Sequence, residues 1–377
     1  MNNRSLTYYL FILIACVGLQ CVKSYHPPEL ESGNNYLVVD GFINTGANQS
    51  TTITLGRSRN LTDSTVISEP ELNASVSIKS DNGTIYTLTS NGSGIYSSAP
   101  LNLDNTKTYQ LVITTSRGGQ YNSDFVAGIQ TPAIDSVTWA QPNDLNVYLY
   151  THDPLNNTRY YKWTYAETWQ YNSALETVYG VANNLIFVSD VTNQTDSCWK
   201  SDLSTDVLIG SSLALSHDVI NNQKIATIPR NDERLAVRYS MLVTQIGISA
   251  GAYEYWQIVE KNSQNRGGLF DLQPGQLNTN IHSLSNPGEP VIGYISGAAP
   301  KQYRIFISNR ELTDWVLARN ECPPIFIPQN PVDFRIYDYP DPAYAPWYFV
   351  SGGIAIARKE CLDCREHDGV NKRPAFW

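Results

Sequence analysis

Cys361-Leu362-Asp363-Cys364, with His367 three residues on and Cys322 upstream, has the C-x-x-C spacing of a tetrahedral zinc knuckle. A structural zinc site normally pairs two such knuckles, and this chain has one. In an oxidising compartment thiols pair with each other instead. Cys198, Cys322, Cys361 and Cys364 are even in number and allow two disulfides in three connectivities. The expected arrangement staples the C-terminal tail to the Cys322 loop, with no metal and no cofactor. A redox role would need the C-x-x-C at a helix N-terminus following a strand, and that context is missing. Gly247-Ile248-Ser249-Ala250-Gly251 matches the G-x-S-x-G of a hydrolase nucleophile elbow and lies between a strand and a helix. His282 and His367 follow it, and Asp271 or Asp363 could serve as the acid. The elbow requires a parallel sheet covered by helices on both faces, which a single helix does not build. Ser249 is therefore expected to cap the helix, and no catalytic residue is assigned.

Carboxylates are scattered at Asp153, Glu167, Glu254, Glu260, Asp338 and Asp341. Glycoside hydrolysis needs two of them across a cleft, and sequence alone does not bring any two together. The run Tyr160-Tyr161-Lys162-Trp163-Thr164-Tyr165-Ala166-Glu167-Thr168-Trp169 is more suggestive. On a strand, Tyr161, Trp163, Tyr165 and Glu167 share one face and Tyr160, Thr164 and Thr168 the other. Tyr160, Trp163 and Trp169 are the candidates for stacking a sugar or a peptide. One face must be core, and Trp163 is expected to belong to it.

At the other end of the chain, Arg4 precedes the apolar run Leu6 to Ala15, and Cys16 and Cys21 close it. A charged start, a short greasy segment and a small residue before Cys form an export signal of the bacterial lipoprotein type. Leu6 to Leu19 falls short of the ~20 apolar residues that span a bilayer. Ala15 supplies the slim residue a peptidase needs before Cys16. Gln20 is a poorer fit before Cys21, but a cut there leaves a longer apolar segment and a polar tether, Val22 to Pro28.

The elements that must position these groups are mostly strands. Tyr (24) and Trp (8) are plentiful, Met (2) is scarce, and Thr, Ser, Val, Ile and Asn abound, a composition of strands joined by polar turns. The formal net charge is -9 with 26 Lys and Arg, and no basic run of five occurs. A nucleic-acid partner needs clustered cations and is not expected. At 377 residues two domains are the default. Residues 1–20 are assigned as signal and 21–35 as tether. Residues 36–131 carry six to seven short alternating segments, with an Asp81-Asn82-Gly83 hairpin turn. They predict a β-sandwich of immunoglobulin or fibronectin III type. Tyr109 stands where such folds place a corner tyrosine. Residues 132–377 predict a second β-rich domain with one helix near 250–264, capped by Ser249, and a disulfide-stapled tail. The fold class is mainly β.

Several stretches together resemble the domain-of-unknown-function 4249 family, lipoproteins of the Bacteroidota. They are Cys21 with Pro27-Pro28, Leu37-Val38-Val39-Asp40-Gly41-Phe42-Ile43-Asn44, Arg159 to Trp163 with Glu167-Thr168-Trp169, and Ala252-Tyr253-Glu254-Tyr255-Trp256. Leu269 to Pro274, Ser285 to Tyr294, Cys361 to Arg365 and Lys372 to Trp377 complete the set. The resemblance implies that the lipidated cysteine directly precedes the tether, which favours Cys21 over Cys16. It also implies an outer-membrane protein encoded beside a TonB-dependent receptor. It supplies no catalytic residues. The first functional expectation is a non-enzymatic, membrane-anchored accessory of a TonB-dependent transporter that docks on the barrel or captures a glycan or peptide ligand. A surface glycan or peptide hydrolase is the alternative, and an envelope structural or adhesion protein the second.

Overall fold

The computed structural model describes residues 35–58, 69–189, 195–264, 278–317, 321–328, 339 and 341–377. Cys16 and Cys21, the expected signal and nearly all of the tether lie outside the described residues, as do Asp271 and Asp338. The protein is mainly β. In the first unit the strands are β1 (Leu37–Gly41), β2 (Ile43–Asn44), β3 (Thr52–Arg57), β4 (Glu69–Pro70) and β5 (Ser75–Ser80). They continue as β6 (Ile85–Gly92), β7 (Ile95–Ser97), β8 (Thr108–Thr114), β9 (Gln120–Ser123) and β10 (Val126–Gln130). Alternation in the sequence becomes alternation in burial. In β8, Tyr109, Leu111 and Ile113 point into the core and their neighbours do not. The Tyr109 hydroxyl donates to the Asp104 carbonyl at 3.0 Å and pins the corner that leads into the strand.

The second unit starts with β11 (Ile134–Ala140), β12 (Leu145–Asp153), β13 (Tyr160–Asn172), β14 (Tyr179–Ala182) and β15 (Leu185–Val188). It goes on through β16 (Ser197–Leu203), β17 (Leu208–Ser211), β18 (Asp218–Ile228), β19 (Arg238–Gly247) and α1 (Ala250–Gln264). The remaining elements are β20 (Ile281–Ser283), β21 (Gly297–Ala299), β22 (Lys301–Ser308), β23 (Ile325–Pro328), β24 (Tyr344–Val350), β25 (Gly353–Arg358) and a single-turn helix, α2 (Lys359–Leu362).

The expected boundary at 131–132 falls between β10 and β11. Residues 278–299, placed by sequence with the second unit, pair instead with the first. The ladder β1-β3-β7-β6-β5-β8-β10 would leave a gap, and β21 fills it, running parallel to both β10 and β2 and nearly closing a barrel-like sheet. β20 pairs with β9. The driving force is burial: Ile281, Val291 and Ile295 complete the first core. Gly293 makes the approach possible, because a Cβ there would collide with the Val39 carbonyl oxygen and its φ is +141°. Glu289 from this returning segment accepts from the Tyr121 hydroxyl at 2.7 Å beside the buried Arg57–Glu71 pair.

In the second unit the sheet β11-β12-β18 faces the sheet β16-β13-β19-β22. The core between them takes Val147 and Ile228 from the first sheet, and Tyr161, Trp163, Tyr239 and Met241 from the second. A smaller third layer caps one end: the β14–β15 hairpin packs on the sheet β23-β25-β24 around Ile186, Ile354 and Ile356.

Candidate functional site

The two halves of the C-x-x-C take different partners. Cys361, in α2, bonds to Cys322, and Cys364, in the turn that follows, bonds to Cys198 at the start of β16. His367 donates from Nε2 to the Glu360 carbonyl, 2.9 Å away, and so sits in a turn of its own. The sequence left the connectivity open. The structure ties the tail both to the Cys322 loop and to the edge of the central sheet.

Ser249 stands at the junction of antiparallel β19 and α1. Its hydroxyl accepts from the Ala252 amide at 3.2 Å, which is the geometry of a helix cap. The candidate partners are engaged elsewhere: His282 faces Asp124 at 3.1 Å, and Asp363 holds Arg365 through contacts of 2.9 and 2.7 Å. Ser249→Ala is expected to cost about 1 kcal/mol of stability and to leave the fold intact, as a denaturant melt will read.

The three stacking candidates part company. Trp163 is fully buried and donates its indole N–H to Gln245 at 2.8 Å. Tyr160 lies on the other face against Tyr253 of α1, with ring centres 5.0 Å apart. Trp169 is mostly buried and lines two shallow grooves beside β16, one of them shared with Glu167, Asp202, Asp232 and Arg234. Glu167 is no free acid. Both its oxygens receive Arg234 Nη1 at 3.1 Å, and the Tyr239 hydroxyl donates to one of them. Burial first, then Glu167, pushes the Tyr239 phenol well above its ordinary value, so it stays a donor.

Beside Tyr160, Lys162 is a group that periodicity did not single out. Its ammonium lies 3.3 Å from the centre of the Trp256 ring, and no carboxylate among the described residues bonds it. Burial lowers it from the usual 10.5 to about 8, with Asp40 opposing. The folded-state value is thus below the unfolded one. Under pH 8 both states carry the charge and folding bears the desolvation cost; stability from this group rises as pH climbs from 8 to 10.5. Lys162→Met should therefore raise stability at pH 7 by about 2 kcal/mol, the cation–π contact offsetting part of the gain. The difference from wild type should shrink toward zero near pH 10.5, measured by urea melts along a pH series.

One concave site that combines aromatic walls with charged groups is in the cap. A cleft of about 690 Å³ opens between the β14–β15 hairpin, the segment entering β24, and α2 with its following turn. Tyr179, Phe187, Tyr339 and Tyr344 supply aromatic walls, and Lys359, Asp363, Arg365 and Glu366 supply charge. Phe187 is 47% exposed, its ring lying over Gly180, where a Cβ would stand 2.5 Å from it. Tyr344 meets Tyr339 edge-on at 5.4 Å. The floor, residues 359–366, contains Cys361 and Cys364. Sequence reasoning missed this cleft because its walls are far apart in the chain; the pair of half-cystines was the one available signal.

These features define a mainly β protein with a disulfide-braced cap. The chain belongs to the DUF4249 family, a domain of unknown function, whose model matches residues 23–304. No curated protein matches it at a significant level. Among solved structures, a DUF4785 family protein from Legionella pneumophila is similar at 9% identity over 55% of this chain and 51% of that one, with a TM-score of 0.19. The adhesin InvE of Yersinia pseudotuberculosis is similar at 13% identity over 56% and 55%, with a TM-score of 0.16. The chain spans about half the length of each, and neither likeness bears on function. Among the described residues no helix is long and apolar enough to cross a membrane.

Proposed function

We propose that this protein is a lipid-anchored envelope protein whose work is binding: a non-enzymatic accessory of a TonB-dependent outer-membrane transporter. The acyl anchor falls on Cys21, with Cys16 as the alternative. The observation that carries the proposal is the cap cleft, a recess of ligand size whose floor is fixed by two disulfides. Disulfides suit an oxidising compartment outside the cytoplasm. The lipoprotein pattern at the N-terminus supports the anchor, and the family resemblance supports the transporter partner. A tagged full-length chain, extracted in mild detergent from its own host, should bring down an outer-membrane barrel. Cys21→Ala should move it out of the membrane fraction. Recovery of the wild-type protein without any barrel, or an unacylated wild-type chain, would overturn the proposal.

A further inference from the structure

We infer that the cap cleft binds a neutral glycan. The inference rests on the binding role proposed above and names its ligand class. The cleft's charged side chains are two cations, Lys359 and Arg365, and two anions, Asp363 and Glu366. Their formal charges balance, so the cleft carries no net charge to favour a charged ligand. Asp363 and Arg365 lock each other through Nε–Oδ1 at 2.9 Å and Nη2–Oδ2 at 2.7 Å. This presents a planar set of donors and acceptors whose geometry is fixed before any ligand arrives. Such a set matches vicinal hydroxyls, which donate and accept at once. The half-exposed Phe187 ring, with Tyr179 and Tyr344 also in the lining, supplies aromatic surface for the C–H side of a pyranose, which is apolar on one side and polar at its edge.

A peptide is commonly gripped through a strand ladder, a charged anchor or an amphipathic helix in an apolar groove. The cleft is instead built from side chains of three separate segments carrying balanced charge. Its floor is rigid because Cys361 and Cys364 tie it to two different parts of the chain.

The test is calorimetric titration of the full-length protein in detergent with hexasaccharides of β-1,4-glucose, β-1,4-xylose, β-1,4-mannose and α-1,4-glucose. Pentaalanine serves as the peptide probe. At least one hexasaccharide should bind, and Phe187→Ala and Arg365→Ala should each weaken it about tenfold. Both side chains are about half exposed, so unchanged melting temperatures will show that the variants fold. Absence of binding by all four sugars at roughly 10 mM, or binding that neither variant weakens, overturns the inference. Pentaalanine binding that both variants abolish, with no sugar binding, replaces the glycan by a peptide. In each of these cases co-purification with a barrel is read separately and still decides the accessory role.

Discussion

Replacing Cys198 and Cys364 together by serine should lower the unfolding free energy by about 5 kcal/mol. The bond closes a loop with a sequence separation of 166 residues, against 39 for Cys322–Cys361. In the chain-entropy account the benefit grows with the logarithm of loop length, so the shorter loop is expected to contribute about 4 kcal/mol. The order of the two is the sharper expectation than either value. Removing the long-range bond also frees the tail from the sheet. Past Cys364, the tail makes a two-way backbone bridge between Val370 and Trp199. It ends with Trp377 edge-on to both Trp199 and Phe306, and with Phe376 under Arg304 at 3.7 Å. These contacts lie on the outer face of the central sheet. Without the staple they must be made by a chain end that no longer starts nearby, so the double variant should expose that face as well as the cap. Guanidinium melts of the two serine double variants, and of the wild type under reductant, will read the effect. A Cys198/Cys364 variant as stable as wild type would show that packing alone holds the tail.

What was legible in the sequence was local. The period-2 segments became strands because each has one face to bury, and α1 begins and ends where Ser249 and the periodicity place it, at Ala250–Gln264. Tyr109 took the corner position because its strand entry leaves the Asp104 carbonyl within reach of the hydroxyl. What was not legible depends on contacts distant in the chain. The parallel pairing of β21 with β2 and β10 carries no turn signal, since its ladder closes through a long excursion. The disulfide pairing could not be chosen from spacing, because Cys361 and Cys364 look alike in sequence while facing different partners. The aromatic strand divides by the same rule, with Trp163 in the core as expected. Trp163 and Trp169 have the residue type of a ligand platform, but their face of β13 is the one turned to β12 and β18, so packing claimed them. Phe187 and Tyr344, unremarkable in sequence, became cleft walls through the folding of the cap.

Glu167→Ala should destabilise the second unit by about 3 kcal/mol, because it removes one anion from a buried ion-pair network and leaves a buried phenol without its acceptor. Glu167 is buried on the core face of β13, next to Trp169 on that face, and its carboxylate is the shared acceptor for Arg234 and Tyr239. Asp232 also holds Arg234, at 2.9 Å, so the guanidinium keeps one anion when Glu167 is lost. The Tyr239 hydroxyl keeps none of its acceptor, and it is buried. That unsatisfied phenol is the part of the cost that a salt-bridge count would overlook. Two further variants separate the contributions. Tyr239→Phe removes the donor and should cost about 1 kcal/mol alone. In the Glu167→Ala background it should cost less or even stabilise, since the orphan goes with it. Glu167→Leu with Tyr239→Phe removes acceptor and donor together, leaves Arg234 on Asp232, and should recover much of the loss. If Glu167 were instead an acid kept for catalysis, the apolar pair would restore stability while abolishing turnover of a glycan. If it is an anchor for the loop between β18 and β19, the same double variant will keep both its fold and the ligand affinity of the cap.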